Sequence, residues 1–281
     1  MPRKITNMRV SIMVKDNMAL AQGISISTLV SIGEHPLSGR PRRAEQDARA
    51  IELGLKLAAD KLHTLYVGPA PNYETESVLR SYLGMGLEQI QIVDVPQHTD
   101  VASTLLENFR ANRPDIILTG VRAEKGESSG MLPYLLADQL NMAIVASITA
   151  IVFIDKQAGH AEVLQALPRG QRRKVKLSLP FIATVDMAAP APRQSAYGCA
   201  MRGQLVVKQS NECQEDVEQS QWQVNCAQKR PKKLKIIKAK TAADRFKAAT
   251  AKVQGGSGKV IYDSKESAQE ILNLLISEGI L

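Results

Sequence analysis

The residues best suited to chemistry stand together in GVRAEKGESSG, from Gly120 to Gly130. This stretch follows an apolar run, DIILT, and precedes MLPYLLADQL, a segment with an apolar helical stripe. A turn between strand and helix presents backbone N–H groups, and Gly120 lets the main chain approach a ligand closely. Ser128 and Ser129 fall where the helix is expected to begin, placing hydroxyls beside N–H groups that lack helical partners. Arg122 and Lys125 add positive charge. Such a turn suits an anion, because a helix N-terminus favours negative charge by up to about 2 kcal/mol in good geometry. An adenine-nucleotide phosphate fits this turn, and an ordinary capped turn accounts equally well for its composition.

Several other chemistries lack their residues. The phosphate-loop pattern G-x-x-x-x-G-K-[ST] is missing: in VQGGSGKV, Val253 stands for the first glycine and Val260 for the hydroxyl residue, which reads as a glycine-rich linker. No G-x-G-x-x-G follows an expected strand, and no G-x-S-x-G elbow occurs. His35, His63, His98 and His160 are widely separated, and Cys199, Cys213 and Cys226 show no metal or disulfide spacing. Aromatic residues are only 4% of the chain, too few for a base-stacking platform. No apolar run approaches the roughly 20 residues of a membrane span, and the first residues do not resemble a secretory signal. A reducing cytoplasm is the expected compartment.

The elements that would position the turn can be read from hydrophobic periodicity. Ile26–Gly33, Leu62–Gly68, Gln89–Asp94, Asp115–Gly120 and Ala143–Ile154 read as strands. Between them, Ala44–Lys61, a segment ending near Gly86, and Val101–Asn112 read as helices, with Leu79, Tyr82 and Leu83 directed inward. Strands alternating with helices predict an α/β fold of three layers around a mostly parallel, doubly wound sheet. Right-handed crossovers gather the loops after Gly33, Val67 and Gly120 on one edge, where ligands bind in such folds. Ala161–Val185 reads as a hairpin with a basic Pro-Arg-Gly tip, and Met201–Cys226 as polar and irregular. Thr241–Val253 suggests a short helix and Ser264–Leu281 a capped amphipathic one. The expected organisation is an irregular arm over 1–24, a nucleotide-binding domain over 25–200, a basic extended linker over 201–241 and a helical arm over 242–281.

The formal net charge of +8 is concentrated in KRPKKLKIIKAK, Lys229–Lys240, which carries seven positive charges and no negative one. Without it the chain holds 29 basic and 28 acidic residues. The run is compatible with a nucleic-acid arm, an arm along an acidic partner, or a solvated linker.

Four stretches in order resemble the beta subunits of electron transfer flavoproteins: DARAIELGLKL, GPAPNYETESVLRSYLGMG, DIILTGVRAEKGESSG and LSLPFIATVDMAAPAPRQSAYGCAM. The resemblance covers roughly Ile26 to Met201. It implies an adenine-nucleotide-binding, Rossmann-like domain that holds AMP, or a second FAD, with no catalytic residue and no metal of its own. It implies a cofactor-binding set of Ser31, Asp47, Val67, Gly120, Arg122, Ala123, Glu124, Gly126, Ser128, Ser129 and Gly130. It also implies that FAD is shared with an alpha subunit, that the loop His35–Ser38 with Arg40 lies near that flavin, and that electrons pass from a flavin-dependent dehydrogenase toward a quinone reductase. The loop carrying Pro192, Arg193, Tyr197 and Met201 would dock the dehydrogenase, with Tyr197 as anchor. On this reading the basic run lies along the alpha subunit; no nucleic acid and no membrane insertion are involved. A stand-alone adenine-nucleotide-binding domain of the universal-stress type is the alternative.

Overall fold

The computed structural model describes residues 23–58, 62–210, 213–223, 225, 241–243 and 260–277. The chain divides into two compact units, Met1–Gln223 and Val224–Leu281. The first is built on a nine-stranded sheet, and the reason is legible strand by strand. β1 (Ile26–Leu29), β6 (Ile116–Gly120) and β10 (Phe181–Val185) are buried at every position. Such uninterrupted burial requires cover on both faces, as in a parallel sheet between helical layers.

Together with β4 (Leu62–Gly68), β5 (Gln89–Asp94), β7 (Ala143–Asp155), β8 (His160–Ala166), β9 (Arg172–Ser178) and β11 (Gln204–Gln209), these strands take the order β11-β5-β4-β1-β6-β10-β7-β8-β9. Pairing is parallel from β11 to β7 and antiparallel from β7 to β9. Alternate side chains of the central strands serve opposite layers. Ile116, Leu118, Phe181 and Ala183 pack with Ala50 and Leu57 of α1 (Glu45–Ala58). On the same side, α2 (Tyr73–Leu83) packs with α1 over Ile90 and Ile92. Ile117 and Ile182 face the other way, toward Phe109 of α3 (Val101–Ala111) and Leu136 of α4 (Leu132–Leu140). Each buried Leu, Ile or Phe of this kind stabilises the fold by about 1.5–3 kcal/mol. The two edge strands read differently: β9 is RRKVKLS and β11 is QLVVKQ, mostly exposed, with charged side chains that disfavour further pairing.

The α/β, doubly wound architecture is thus as the sequence implies, with three local differences. The apolar run Ile26–Gly33 is not one strand. It breaks after Leu29, and Ile32–Glu34 (β2) pairs antiparallel with Pro41–Arg43 (β3) as a small separate ribbon. The expected second strand of the basic hairpin is two strands: β9 closes the hairpin with β8, whereas β10 enters the sheet centre between β6 and β7. Within the stretch read as irregular, β11 pairs in parallel with β5, and a short helix, α6, covers Val217–Ser220. A six-residue helix, α5 (Tyr197–Arg202), precedes β11.

In the second unit, Ser264–Ser277 forms α7, with the Asp263 carboxylate accepting from the Glu266 N–H at 3.1 Å. The basic run Lys229–Lys240, most of the expected arm over 1–24, the body of the Thr241–Val253 helix and the GGSGK segment lie outside the described residues.

Candidate functional site: a cleft at the sheet switch point

The chain leaves β1 for β4 on one side, while β6 lies on the other. At such a reversal the connecting loops diverge and leave a crevice beyond the strand C-termini. A cleft of about 390 Å³ opens there. One wall is the turn after β6; the floor is apolar, with Leu29, Leu65, Leu105 and Leu132; β4 contributes Tyr66 and Val67.

The first turn of α1 fixes the mouth. Asp47 is 6% exposed, and its carboxylate accepts from Ser31 N–H (2.8 Å), Ser31 Oγ–H (2.6 Å) and Gly120 N–H (3.1 Å). One side chain therefore joins the end of β1 to the end of β6. Burial pushes the Asp47 pKa up to about 6, the Ser31 and Gly120 hydrogen bonds pull the other way, and the negative Glu124 adds a smaller upward push. Gln46 completes the clamp by accepting from Val121 N–H (2.9 Å) and Arg122 N–H (3.2 Å). Behind it, the fully buried Tyr82 hydroxyl accepts from Ala44 N–H (2.8 Å) and donates to the Ser31 carbonyl (3.0 Å). Burial, with the nearby Asp47 charge, holds its pKa well above the usual phenol value.

The turn itself is compact. Gly126, Ser128 and Gly130 all have positive φ, at 81°, 55° and 73°. At Gly130 a Cβ would stand 2.8 Å from the Val121 carbonyl, so both the angle and the space exclude a larger residue. The α4 helix begins at Leu132, beyond Ser128 and Ser129, where the sequence places its start. Ser128 Oγ donates to the Ala123 carbonyl at 2.5 Å, closing the turn, and Ser129 Oγ accepts from Met131 N–H at 3.2 Å. Pro133 at the helix start removes a backbone donor there.

Ser31, Asp47, Val67, Gly120, Arg122, Ala123, Gly126, Ser128, Ser129 and Gly130 all border this cleft. Glu124 does not. Its carboxylate turns back to accept from Glu45 N–H (3.0 Å) and Arg42 Nε–H (3.1 Å), tying the β2–β3 ribbon to α1. Of the two cations in the turn, Lys125 pairs with Glu34 at 3.4 Å, while Arg122 makes no ion pair with the described residues. The far wall was not foreseen. It comprises Thr99–Ala102 at the start of α3, with Asp216 and Gln219 around α6. Asp100 accepts from Ala102 N–H and Asp216 from Gln219 N–H, each at the start of its helix. An N-cap Asp following a strand was a usable signal for Asp100. Asp216 carries a capping signal as well, with Gln219 three residues on, but nothing local places it at the cleft, which it reaches through Asp100 N–H to Gln214 O (2.7 Å) and Asp216 N–H to His98 O (2.7 Å).

The implied docking residues lie elsewhere, on the far side of α1 and α2. Tyr197 opens α5 and is 80% exposed; Met201, one turn on, is 54% exposed; Pro192 is half-buried. Arg193 is directed inward onto Glu52. At the β2–β3 ribbon, His35 Nδ1 accepts from Leu37 and Ser38 N–H groups at 3.3 Å each, and Leu37 at the tip is 92% exposed.

A mostly parallel sheet between helical layers, with a cleft at its switch point and a separate loop that exposes Tyr197, defines a three-layer α/β protein of the Rossmann-like class. Two comparisons specify it further. The family model described as the electron transfer flavoprotein domain matches residues 42–211. A protein from Chromohalobacter salexigens, described as electron transfer flavoprotein subunit beta, is 48% identical over 265 residues, covering 94% of this chain and 98% of that protein. The chain belongs to the electron transfer flavoprotein beta-subunit family. Among the described residues no helix is long and apolar enough to cross a membrane.

Proposed function

We propose that this chain is the beta half of a two-subunit electron carrier. It pairs with an alpha subunit that holds most of the redox FAD, receives electrons from a flavin-dependent dehydrogenase and passes them toward a quinone reductase, in the cytoplasm. The observation that carries the reading is the loop ending in Tyr197. A tyrosine exposed to 80% at the start of an ordered helix, with Met201 54% exposed one turn on, suits an anchor for a partner.

The switch-point cleft suits an adenine nucleotide. Its volume of about 390 Å³ lies near the lower end of small-molecule sites and matches a mononucleotide such as AMP better than a whole FAD. The apolar floor receives the base, and the glycine-rich turn with Arg122 faces the phosphate. The acidic wall of Asp100 and Asp216 favours ribose hydroxyls over a second phosphate.

FAD supplies the one- and two-electron chemistry when bound between the subunits. This chain's residues orient and cover it rather than transfer protons: the exposed tip around Leu37 covers one side, and α1 holds the tip's ribbon through Glu124. The carrier is then not an enzyme with a substrate of its own. The basic run Lys229–Lys240 is the segment proposed to lie along the alpha subunit.

The test is coexpression with a candidate alpha subunit. A yellow complex is expected that releases FAD and AMP in about equal amounts on denaturation. A colourless monomer that turns over a small molecule unaided refutes the carrier reading.

A further inference from the structure

We propose that Glu52 is a positioning residue for partner docking: through Arg193 it holds the Tyr197 loop in its projecting pose, against a seat made by Gly84 at the end of α2. This rests on the docking reading above.

Between β10 and α5 the chain crosses the outer face of α1 and the C-terminus of α2. Apart from Ala189, which is buried in the core, it carries little apolar burial, and residues 193–198 are all exposed. Its order comes from polar contacts at three points. The Arg49 guanidinium donates to the Ala189 carbonyl and is itself paired with Glu45 at 2.8 Å. One turn along, Glu52 takes three hydrogen bonds from Arg193: backbone N–H at 3.2 Å, Nε–H at 2.7 Å and a terminal N–H at 3.3 Å. The fork-to-carboxylate geometry fixes both the position and the orientation of the loop, which a single contact does not. Lys56 also pairs with Glu52, at 3.4 Å. Burial alone would raise the Glu52 pKa; the hydrogen bonds and charge of Arg193, with the charge of Lys56, together outweigh it and leave the carboxyl below its ordinary value.

The third point is the seat. Ala196 N–H donates to the Gly84 carbonyl at 2.9 Å, so the residue before Tyr197 is bonded to the α2 C-cap. A Cβ on Gly84 would overlap Ser195 Oγ and stand 3.1 Å from the Ala196 carbonyl. Gly84 itself sits in ordinary right-handed helical conformation, with φ −58°. Its lack of a side chain is therefore required by the loop lying on it, not by its own backbone. Just beyond, Arg80 donates to the Ala200 carbonyl at 3.4 Å, and Ala200 is the buried residue of α5. Glu52 lies more than a helical turn from the cleft-binding end of α1 and contributes nothing to the cleft wall. Its three bonds to one loop residue make presentation of the anchor Tyr197 its task. Presentation in a single pose lowers the ordering cost of binding.

The experiment uses the intact two-subunit complex and a panel of purified flavin dehydrogenases, from which one that reduces the wild-type complex is chosen. Steady-state reduction is measured for Glu52→Ala, Tyr197→Ala and the double variant, with Glu52→Gln as the conservative substitution. We expect Glu52→Ala to raise the KM for the carrier about tenfold with kcat and flavin content unchanged. Glu52→Gln retains an acceptor and falls between Glu52→Ala and wild type. The double variant matches Tyr197→Ala alone, because a residue acting only through the anchor has nothing further to lose. Hydrogen exchange over residues 194–202 rises in Glu52→Ala without rising across the sheet. If the two single effects multiply, or if KM is unchanged in Glu52→Ala while Tyr197→Ala raises it, the positioning role is overturned and the docking loop stands. If Tyr197→Ala itself leaves KM unchanged, the docking reading fails and this inference falls with it.

Discussion

Replacing Asp47 with asparagine tests the electrostatics of the cleft mouth, and the size of the effect follows from the structure. The Asp47 carboxyl titrates near 3.8 when unperturbed and at about 6 in the fold, because burial disfavours the ion more than three hydrogen bonds favour it. Ionisation therefore counts against the folded state. The sign follows from proton uptake: between these two values the folded chain binds more protons than the unfolded one, so stability falls as pH rises. This contribution is fully present below pH 3.8 and is lost as pH rises through about 6. The loss amounts to about 3 kcal/mol by pH 7, against roughly 0.5 kcal/mol near pH 4. The Asp47→Asn variant has no such titration. It also leaves one donor short, since an amide oxygen cannot serve Ser31 and the buried Gly120 N–H as a carboxylate does; that costs about 1–3 kcal/mol at every pH. The variant is expected to be clearly weaker than wild type at pH 4.5 and nearly equal to it, or stronger, at pH 7. Urea unfolding followed by circular dichroism at half-unit pH steps reads the difference. A gap that stays constant across this range would mean that the three donors balance burial, and a gap that widens with pH that they outweigh it; either refutes the reasoning that ionised Asp47 burdens the fold.

Three further substitutions probe the same clamp. Gly120→Ala places a Cβ 2.5 Å from Asp47 Oδ1 and 3.1 Å from Gln46 Cβ, so it should cost about 1–3 kcal/mol in thermal melts and reduce copurified adenine nucleotide. Tyr82→Phe removes the hydroxyl shared by Ala44 and Ser31, leaving a buried N–H unpaired; a loss of about 1–3 kcal/mol is expected, with no change in the flavin spectrum of the complex. Glu124→Ala uncaps Glu45 and frees Arg42, so about 1 kcal/mol should be lost and proteolytic cleavage near residues 36–40 should accelerate, while nucleotide content holds. Retained nucleotide in Gly120→Ala, or lost nucleotide in Glu124→Ala, would reverse the assignment of these two residues.

The sequence by itself determined the layered α/β plan. Central strands such as IILTG and FIATV are apolar almost throughout, and helices such as α2 carry buried residues at helical spacing; both patterns are local and survive reading one residue at a time. It also located the turn that walls the switch-point cleft, because Gly126, Ser128 and Gly130 with positive φ leave a compositional mark. The tertiary structure alone decided what the polar residues do. Glu124 looked like a ligand-binding residue of the turn but serves the neighbouring helix, since its carboxylate reaches a backbone N–H 79 residues away in sequence. Asp216 joins the cleft only because β11 pairs with β5 and carries the following chain back across α3. Glu52 meets Arg193, 141 residues distant, and nothing in its own helix marks that pairing. Hydrophobic burial is set by the period of a segment, whereas a hydrogen bond is set by the meeting of two atoms. No one-dimensional pattern records which distant partners the fold will bring within roughly 3 Å.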